Sequence, residues 1–204
     1  MYLVKTPRII KELFSELVWS INTNEKNIYL SFDDGPHPTI TTFVLENLKQ
    51  YNATASFFCI GKNVETHPEI YEKIINEGHL VGNHTQQHLN GWKTSNEHYI
   101  NDVMQASKVI KSNYFRPPYG KIKRNQSNYL IKKGFQIIMW DVLSGDFDTS
   151  ISKETCLKNV ITKTKDGSIV VFHDSEKAFE KLQFTLPRML QYFSELGYSF
   201  KRLP

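Results

Sequence analysis

Short apolar runs take turns with longer amphipathic stretches from Ile28 to the end of the chain, and few architectures accommodate that rhythm. The runs, rich in β-branched and aromatic residues, are Ile28–Phe32, Ala55–Ile60, His79–Asn83, Tyr114–Arg116, Phe135–Asp141, Ser168–Phe172 and Tyr198–Lys201. Between them, Thr41–Tyr51, Pro68–Glu77, Ser95–Ser112, Gln126–Lys133, Lys153–Lys165 and Phe184–Leu196 space their apolar residues as helices with one buried face do. Gly78, Gly134 and Gly197 follow three of these stretches, where a helix end wants a left-handed residue, and Pro68 stands where a first helical turn accepts it. Strand, helix and strand in regular succession imply parallel pairing through crossover helices, hence one α/β domain. Seven strands suit an incomplete (β/α) barrel or an open twisted sheet. No internal repeat, low-complexity tract or linker divides the 204 residues.

The segment ahead of this alternation reads differently. Ile9, Ile10, Leu13, Phe14, Leu17 and Val18 recur at helical spacing, which predicts an amphipathic helix over the first twenty residues. Its apolar face is expected to pack on the domain rather than on a membrane surface or a partner. Lys5, Arg8, Lys11, Glu12 and Glu16 interrupt it, so it lacks the continuous apolar core of a signal peptide. No run approaches the roughly 18 apolar residues of a membrane span. The expected location is therefore cytoplasmic by default, or associated with the cell envelope. A net charge of +4 arises from 25 basic and 21 acidic residues scattered along the chain, and without a basic tract nucleic acid is not an expected partner. Cys59 and Cys156 form neither a disulfide framework nor a Cys-x-x-Cys motif and read as core thiols.

Five polar clusters fall at or just beyond the C-terminal ends of predicted strands: Asp33-Asp34-Gly35-Pro36, His84 with His88, Arg116-Pro117-Pro118-Tyr119-Gly120, Asp141 to Asp148, and His173-Asp174. That edge carries the ligands of parallel α/β folds, so the clusters form one candidate site. Singly, each has an ordinary reading as a turn, a pair of surface histidines, a salt-bridged arginine or a satisfied core histidine. Together they have chemistry. His84 and His88 would point the same way on one helical turn, and with a carboxylate from another strand they can share a divalent ion with positions left open. Asp33 and Asp34 are adjacent in an extended segment, so one can ligate while the other stays free as a general base. His173 ends an apolar run and could protonate a departing amine, while Arg116 could clamp a site carboxylate.

As a set, these motifs resemble those of the polysaccharide deacetylases, the carbohydrate esterases that share the domain of the rhizobial chitooligosaccharide deacetylase. Ser31-Phe32-Asp33-Asp34-Gly35-Pro36 is similar to the family's first motif, His84-Thr85-Gln86-Gln87-His88 to its second, Arg116-Pro117-Pro118-Tyr119-Gly120 to its third and Val171-Phe172-His173 to its fifth. Ala55 to Gly61 resembles a recurrent family strand, and the likeness extends from about Ile28 to Leu203. It implies a distorted (β/α) barrel, an incomplete TIM-like barrel of about seven strands, over residues 26–204, with residues 1–25 as a helical segment packed on it. It further implies Asp33 as general base, oriented by Arg116, and Asp34, His84 and His88 as ligands of one divalent ion, zinc by preference over cobalt, nickel or iron. His173 becomes the general acid, the Tyr119 amide an oxyanion donor and Val171 the lining of the acetyl pocket. The implied substrate is an acetylated carbohydrate, a GlcNAc-containing polymer or oligomer such as peptidoglycan or chitooligosaccharide, losing N-acetyl or secondarily O-acetyl groups. A small non-sugar amide, or sugar binding without turnover, are the competing readings.

The fourth motif departs from the family pattern of an Asp followed four positions on by a Trp. Aligned from Trp140, those places hold Leu143 and Phe147. Phe147 and Trp140 can wall the site, with Pro117 as a further substrate contact. Support for His173 must come from another carboxylate, and Asp141 and Asp146 are the nearest.

Overall fold

The computed structural model describes residues 2–204. Its strands are β1 (Asn27–Asp33), β2 (Ser56–Cys59), β3 (Leu80–Asn83), β4 (Tyr114–Phe115), β5 (Gln136–Ile137), β6 (Val142–Leu143), β7 (Ile169–His173) and β8 (Ser199–Lys201). The helices are α1 (Arg8–Leu13), α2 (Ile40–Gln50), α3 (Gly61–Thr66), α4 (Pro68–Asn76), α5 (Asn96–Ala106), α6 (Arg124–Lys132), α7 (Lys153–Lys163) and α8 (Glu176–Glu195). Across the sheet the order is β5-β4-β3-β2-β1-β7-β6, with β8 beside the first residues of β1, and every strand pairing is parallel. The sheet curls into an incomplete barrel flanked by helices, as the alternation and the resemblance both implied.

Period-two alternation explains how one strand serves two layers. On β1, Ile28, Leu30 and Phe32 face outward and pack with Val44, Leu45 and Leu48 of α2 and Leu182, Leu186 and Leu190 of α8. Phe32 stacks between Phe57 of β2 and Phe172 of β7, at ring separations of 5.1 and 6.0 Å. The intervening residues Tyr29, Ser31 and Asp33 face the barrel interior. Register with β7 builds that interior in layers: Tyr29 beside Ile169, Ser31 beside Val171 and Asp33 beside His173. The lowest layer is apolar, with Tyr29, Phe58, Ile138, Ile169 and Leu203 in contact. Polarity therefore increases toward the C-terminal edge.

Two expectations are corrected. The run Phe135–Asp141 is not one strand: only Gln136 and Ile137 form one, paired with β4, and the chain then bends so that Val142 and Leu143, just beyond the run, pair with β7. This bent connection joins the two ends of the sheet. The helix expected over the first twenty residues forms only at Arg8–Leu13, and none of its residues is buried; Ile9 and Leu13 are 73% and 72% exposed. The remaining backbone bonds to the sheet instead. Lys5 bridges Val142 antiparallel and Val18 bridges Ile138 parallel, and Ser20 reaches Ser168. The N-terminal segment is thus a strap laid over the bend, with hydrogen bonds from Val18 N to Ile137 O (2.9 Å) and from Met139 N to Val18 O (2.7 Å). Among the described residues no helix is long and apolar enough to cross a membrane.

Candidate active site

Asp33 is the last residue of β1 and is buried, with Oδ1 accepting a hydrogen bond from Arg116 Nη1 at 2.7 Å. The Arg116 guanidinium lies wholly inside the barrel. Nη1 also donates to Ser31 Oγ (2.8 Å), Nε to Ile138 O (3.2 Å) and Nη2 to Met139 O (3.0 Å). Its plane rests 4.0 Å from the centre of the Phe58 ring. Each donor direction used by this fork fixes the carboxylate that it faces, which fits the clamp expected of Arg116. Arg116→Ala should cost about 3–5 kcal/mol of stability in urea unfolding, because it leaves Asp33 buried without its counter-charge.

Asp34 leaves the strand with φ of 83°, so its side chain turns away from Asp33. His84 Nε2 lies 3.7 Å and His88 Nε2 3.2 Å from Asp34 Oδ1, and one ligand atom from each of the three residues falls within 4.8 Å of the others. The two histidines do not share a helical turn, as their spacing suggested. They occupy a loop after β3 in which Thr85 and His88 have φ of 67° and 56°. Those two left-handed residues exclude a helical turn, and side chains hold the amides of the loop instead: Asn83 Oδ1 accepts from Thr85 N (2.8 Å), and Asp102 Oδ2 from Gln86 N (2.9 Å) and Gln87 N (3.0 Å). Asp34, Thr85, His88 and Tyr119 are four of the five non-glycine residues with positive φ among those described. Such backbone persists where surrounding structure over-determines it, most often at functional sites.

These three residues could hold a metal ion, and their surroundings fit one. Asp34 Oδ1 is buried without a hydrogen-bond partner; His88 Nε2, though near, is not aligned to donate to it. His84 Nδ1 faces Arg116 O at 2.8 Å, which assigns its proton there and leaves the Nε2 lone pair toward Asp34. Burial pushes the His84 imidazole down to about 4, so it stays neutral as a ligand must. Burial alone would raise the Asp34 carboxyl, but His88 and His173 outweigh it and hold it well below the usual carboxylate range.

His173 stands across from this group at the end of β7. Its Nδ1 contacts Asp146 Oδ1 at 2.8 Å, and its backbone N–H donates to Asp146 Oδ2 at 2.7 Å. Burial disfavours the imidazolium, yet the adjacent Asp146 carboxylate prevails and raises His173 to about 9. Asp146 is therefore the support that Leu143 cannot give. Asp141 points elsewhere: its carboxylate accepts from Lys5, Lys11 and Ser168.

A cavity of about 400 Å³ opens onto these groups. Asp33, Asp34, His84, His88 and His173 make its polar half, whereas Trp140, Leu143, Phe147 and Val171 make an apolar half with Tyr2. Tyr119 stands at the rim, its ring 4.6 Å from that of His88. Pro117 is buried and lies outside the lining. Three contributors escaped the sequence reading of roles. Tyr2 carried no motif, and Asp102 is one of two acids on its helix, with Glu97. Asp174 sat in a singled-out cluster without an assigned task; its Oδ1 accepts from Gly35 N at 3.0 Å and its Oδ2 from the Thr41 hydroxyl. A Cβ on Gly35 would stand 2.2 Å from Asp174 Oδ2, so the turn after Asp34 requires glycine there.

Known proteins share this arrangement of sequence and fold. A sequence model of the polysaccharide deacetylase family matches residues 20–138, more than half of the chain. A peptidoglycan-N-acetylglucosamine deacetylase of Bacillus cereus is 34% identical over 190 residues, covering 90% of this chain and 89% of its own. A second protein of that name from Bacillus cereus is 35% identical over 158 residues, covering 74% of this chain and 57% of its own length. The crystal structure of the Bc1960 peptidoglycan N-acetylglucosamine deacetylase, in complex with 4-naphthalen-1-yl-N-oxidanyl-benzamide, has a TM-score of 0.89 at 30% identity, covering 98% of this chain and 95% of that one. By the family match and by a relative aligned over nearly its whole length, the chain belongs to the polysaccharide deacetylase family.

Proposed function

We propose that this chain is a metal-dependent hydrolase that removes N-acetyl groups from a GlcNAc-containing glycan. The observation that carries the reading is the convergence of Asp34, His84 and His88 on one point, with Asp33 beside it and His173 opposite. A divalent cation there, zinc by the nitrogen and oxygen donor set, supplies Lewis acidity that polarises a carbonyl and acidifies water. The chain's own groups do the rest. Asp33, aimed by Arg116, accepts the proton of the attacking water, and the Tyr119 amide donates to the developing oxyanion. Val171 floors the space for the acetyl methyl. His173, protonated through neutral pH by virtue of Asp146, delivers its proton to the departing nitrogen. An amine leaves only when protonated, so a histidine held charged favours N-acetyl over O-acetyl substrates. The two Bacillus cereus relatives carry the name of a peptidoglycan-N-acetylglucosamine deacetylase, which supports peptidoglycan strands as the substrate class.

Acetate release from peptidoglycan and from acetylated chitooligosaccharides tests this directly. Release should fall on chelation and return with zinc, elemental analysis should find one ion per chain, and His84→Ala should lose that ion. Full activity in metal-free protein would overturn the metal assignment. Hydrolysis of small amides without release from either glycan would overturn the substrate class.

A further inference from the structure

The N-terminal strap reaches the cavity itself. Leu143 N donates to Val4 O at 2.8 Å and Thr6 N to Asp141 O at 2.9 Å, so the strap is pinned to the very segment that carries the apolar wall. Thr6 Oγ1 donates to Trp140 O at 2.8 Å, and Lys5 and Lys11 both pair with the buried Asp141 carboxylate. Burying that carboxylate is tolerable only because two cations meet it, which makes the anchor specific in register. Tyr2, two residues before the Val4 bond, is thereby delivered to the cavity, where its ring centre lies 5.1 Å from that of Phe147. Its hydroxyl fits over Gly145, where a Cβ would stand 2.7 Å from it.

We propose that Tyr2 is a specificity-determining residue, forming with Phe147 an aromatic wall for the sugar ring that bears the acyl group. This rests on the deacetylase reading above. The reacting carbonyl must lie between the Asp34, His84 and His88 group and His173, so whatever is attached to it extends along the apolar half. Val171 and Leu143 are almost entirely buried and offer only a floor wide enough for a methyl group. Tyr2, Phe147 and Trp140 are the broad surfaces that remain, and of these Tyr2 and Phe147 lie side by side; aromatic faces pack well on the C–H face of a pyranose while asking for no charge on it. Phe147 meets Tyr2 on one side and His173 on the other, at 5.1 Å in each case. The wall thus continues from the strap to the proposed acid.

The test compares Tyr2→Ala and Tyr2→Phe with the wild-type chain on an N-acetylated chitooligosaccharide. Tyr2 makes none of the backbone hydrogen bonds that hold the strap, and its hydroxyl has the partly exposed Asp148 as its polar partner, so a melting temperature changed little and an unchanged metal content are expected. Tyr2→Ala should raise KM about five- to tenfold with little change in kcat, and Tyr2→Phe should restore the wild-type KM. Calorimetric Kd values for the same oligosaccharide, measured in an Asp33→Asn background with and without Tyr2→Ala, should differ by the same factor. Equal KM and Kd in the presence and absence of the ring would overturn the proposal, as would a loss confined to kcat, which would mean that Tyr2 only braces Phe147 against His173. Failure of the wild type to release acetate from any glycan would instead strike the deacetylase reading, while the Kd comparison would still decide whether Tyr2 touches sugar.

Discussion

Asp33→Asn should lower acetate release by about 10²–10⁴-fold, the contribution of a positioned general base, while fold and bound metal persist. The substitution isolates charge from geometry. An asparagine carbonyl can accept the 2.7 Å hydrogen bond from Arg116 Nη1, and Ser31 continues to accept the second bond from the same nitrogen. What disappears is a group able to take a proton from water. Asp33→Ala removes the acceptor as well as the charge, so it should be as inactive and the less stable of the two by about 1–3 kcal/mol, because the buried guanidinium then has neither a counter-charge nor an acceptor at that position. Comparing the two by acetate assay and urea unfolding separates chemistry from folding. An Asn variant that keeps the wild-type rate would remove Asp33 from the mechanism and leave it as the counter-ion of Arg116.

That Asp33 could be singled out at all reflects how the sheet works. A strand end and the residue after it are fixed in space by the apolar run that precedes them, so Asp33, His84, Arg116 and His173 could be placed on one edge from the alternation of runs and stretches. Loop conformation was less legible. Spacing alone put His84 and His88 on a helical turn, but Asp102, on α5, captures the Gln86 and Gln87 amides and holds an irregular loop. Asp141 and Asp146 were indistinguishable in sequence. The choice depends on where the chain bends after β6, and on Lys5 and Lys11, more than a hundred residues away, claiming Asp141. The strap misread for a similar reason. Its apolar residues recur at helical spacing, yet a lone helix is marginal without a surface to pack on, and the open edge of a bent strand holds its backbone through bonds such as Val18 N to Ile137 O and Leu143 N to Val4 O.

The Asp146 assignment leads to the second large effect, a change in pH dependence. Asp146→Asn keeps an acceptor for the His173 backbone N–H and removes the counter-charge from its ring. With burial unopposed by that charge, the imidazole should fall from about 9 toward or below its ordinary value of about 6.5. A general acid works while protonated, so the alkaline limb of acetate release should move down by about two pH units, and at pH 8 the variant should be slower by roughly 10- to 30-fold. A cation held at Asp34 would lower the alkaline limbs of wild type and variant alike, so the separation between the two is the quantity to measure. The same shift acts on stability, with its sign fixed by linkage. Because the folded value lies above the unfolded one, the stabilisation from His173 is complete below about pH 6.5 and is lost as pH rises through about 9. Wild-type protein should therefore lose melting temperature across that window by more than the Asn variant does. A variant with the wild-type alkaline limb would show that the acid is not the histidine held by Asp146.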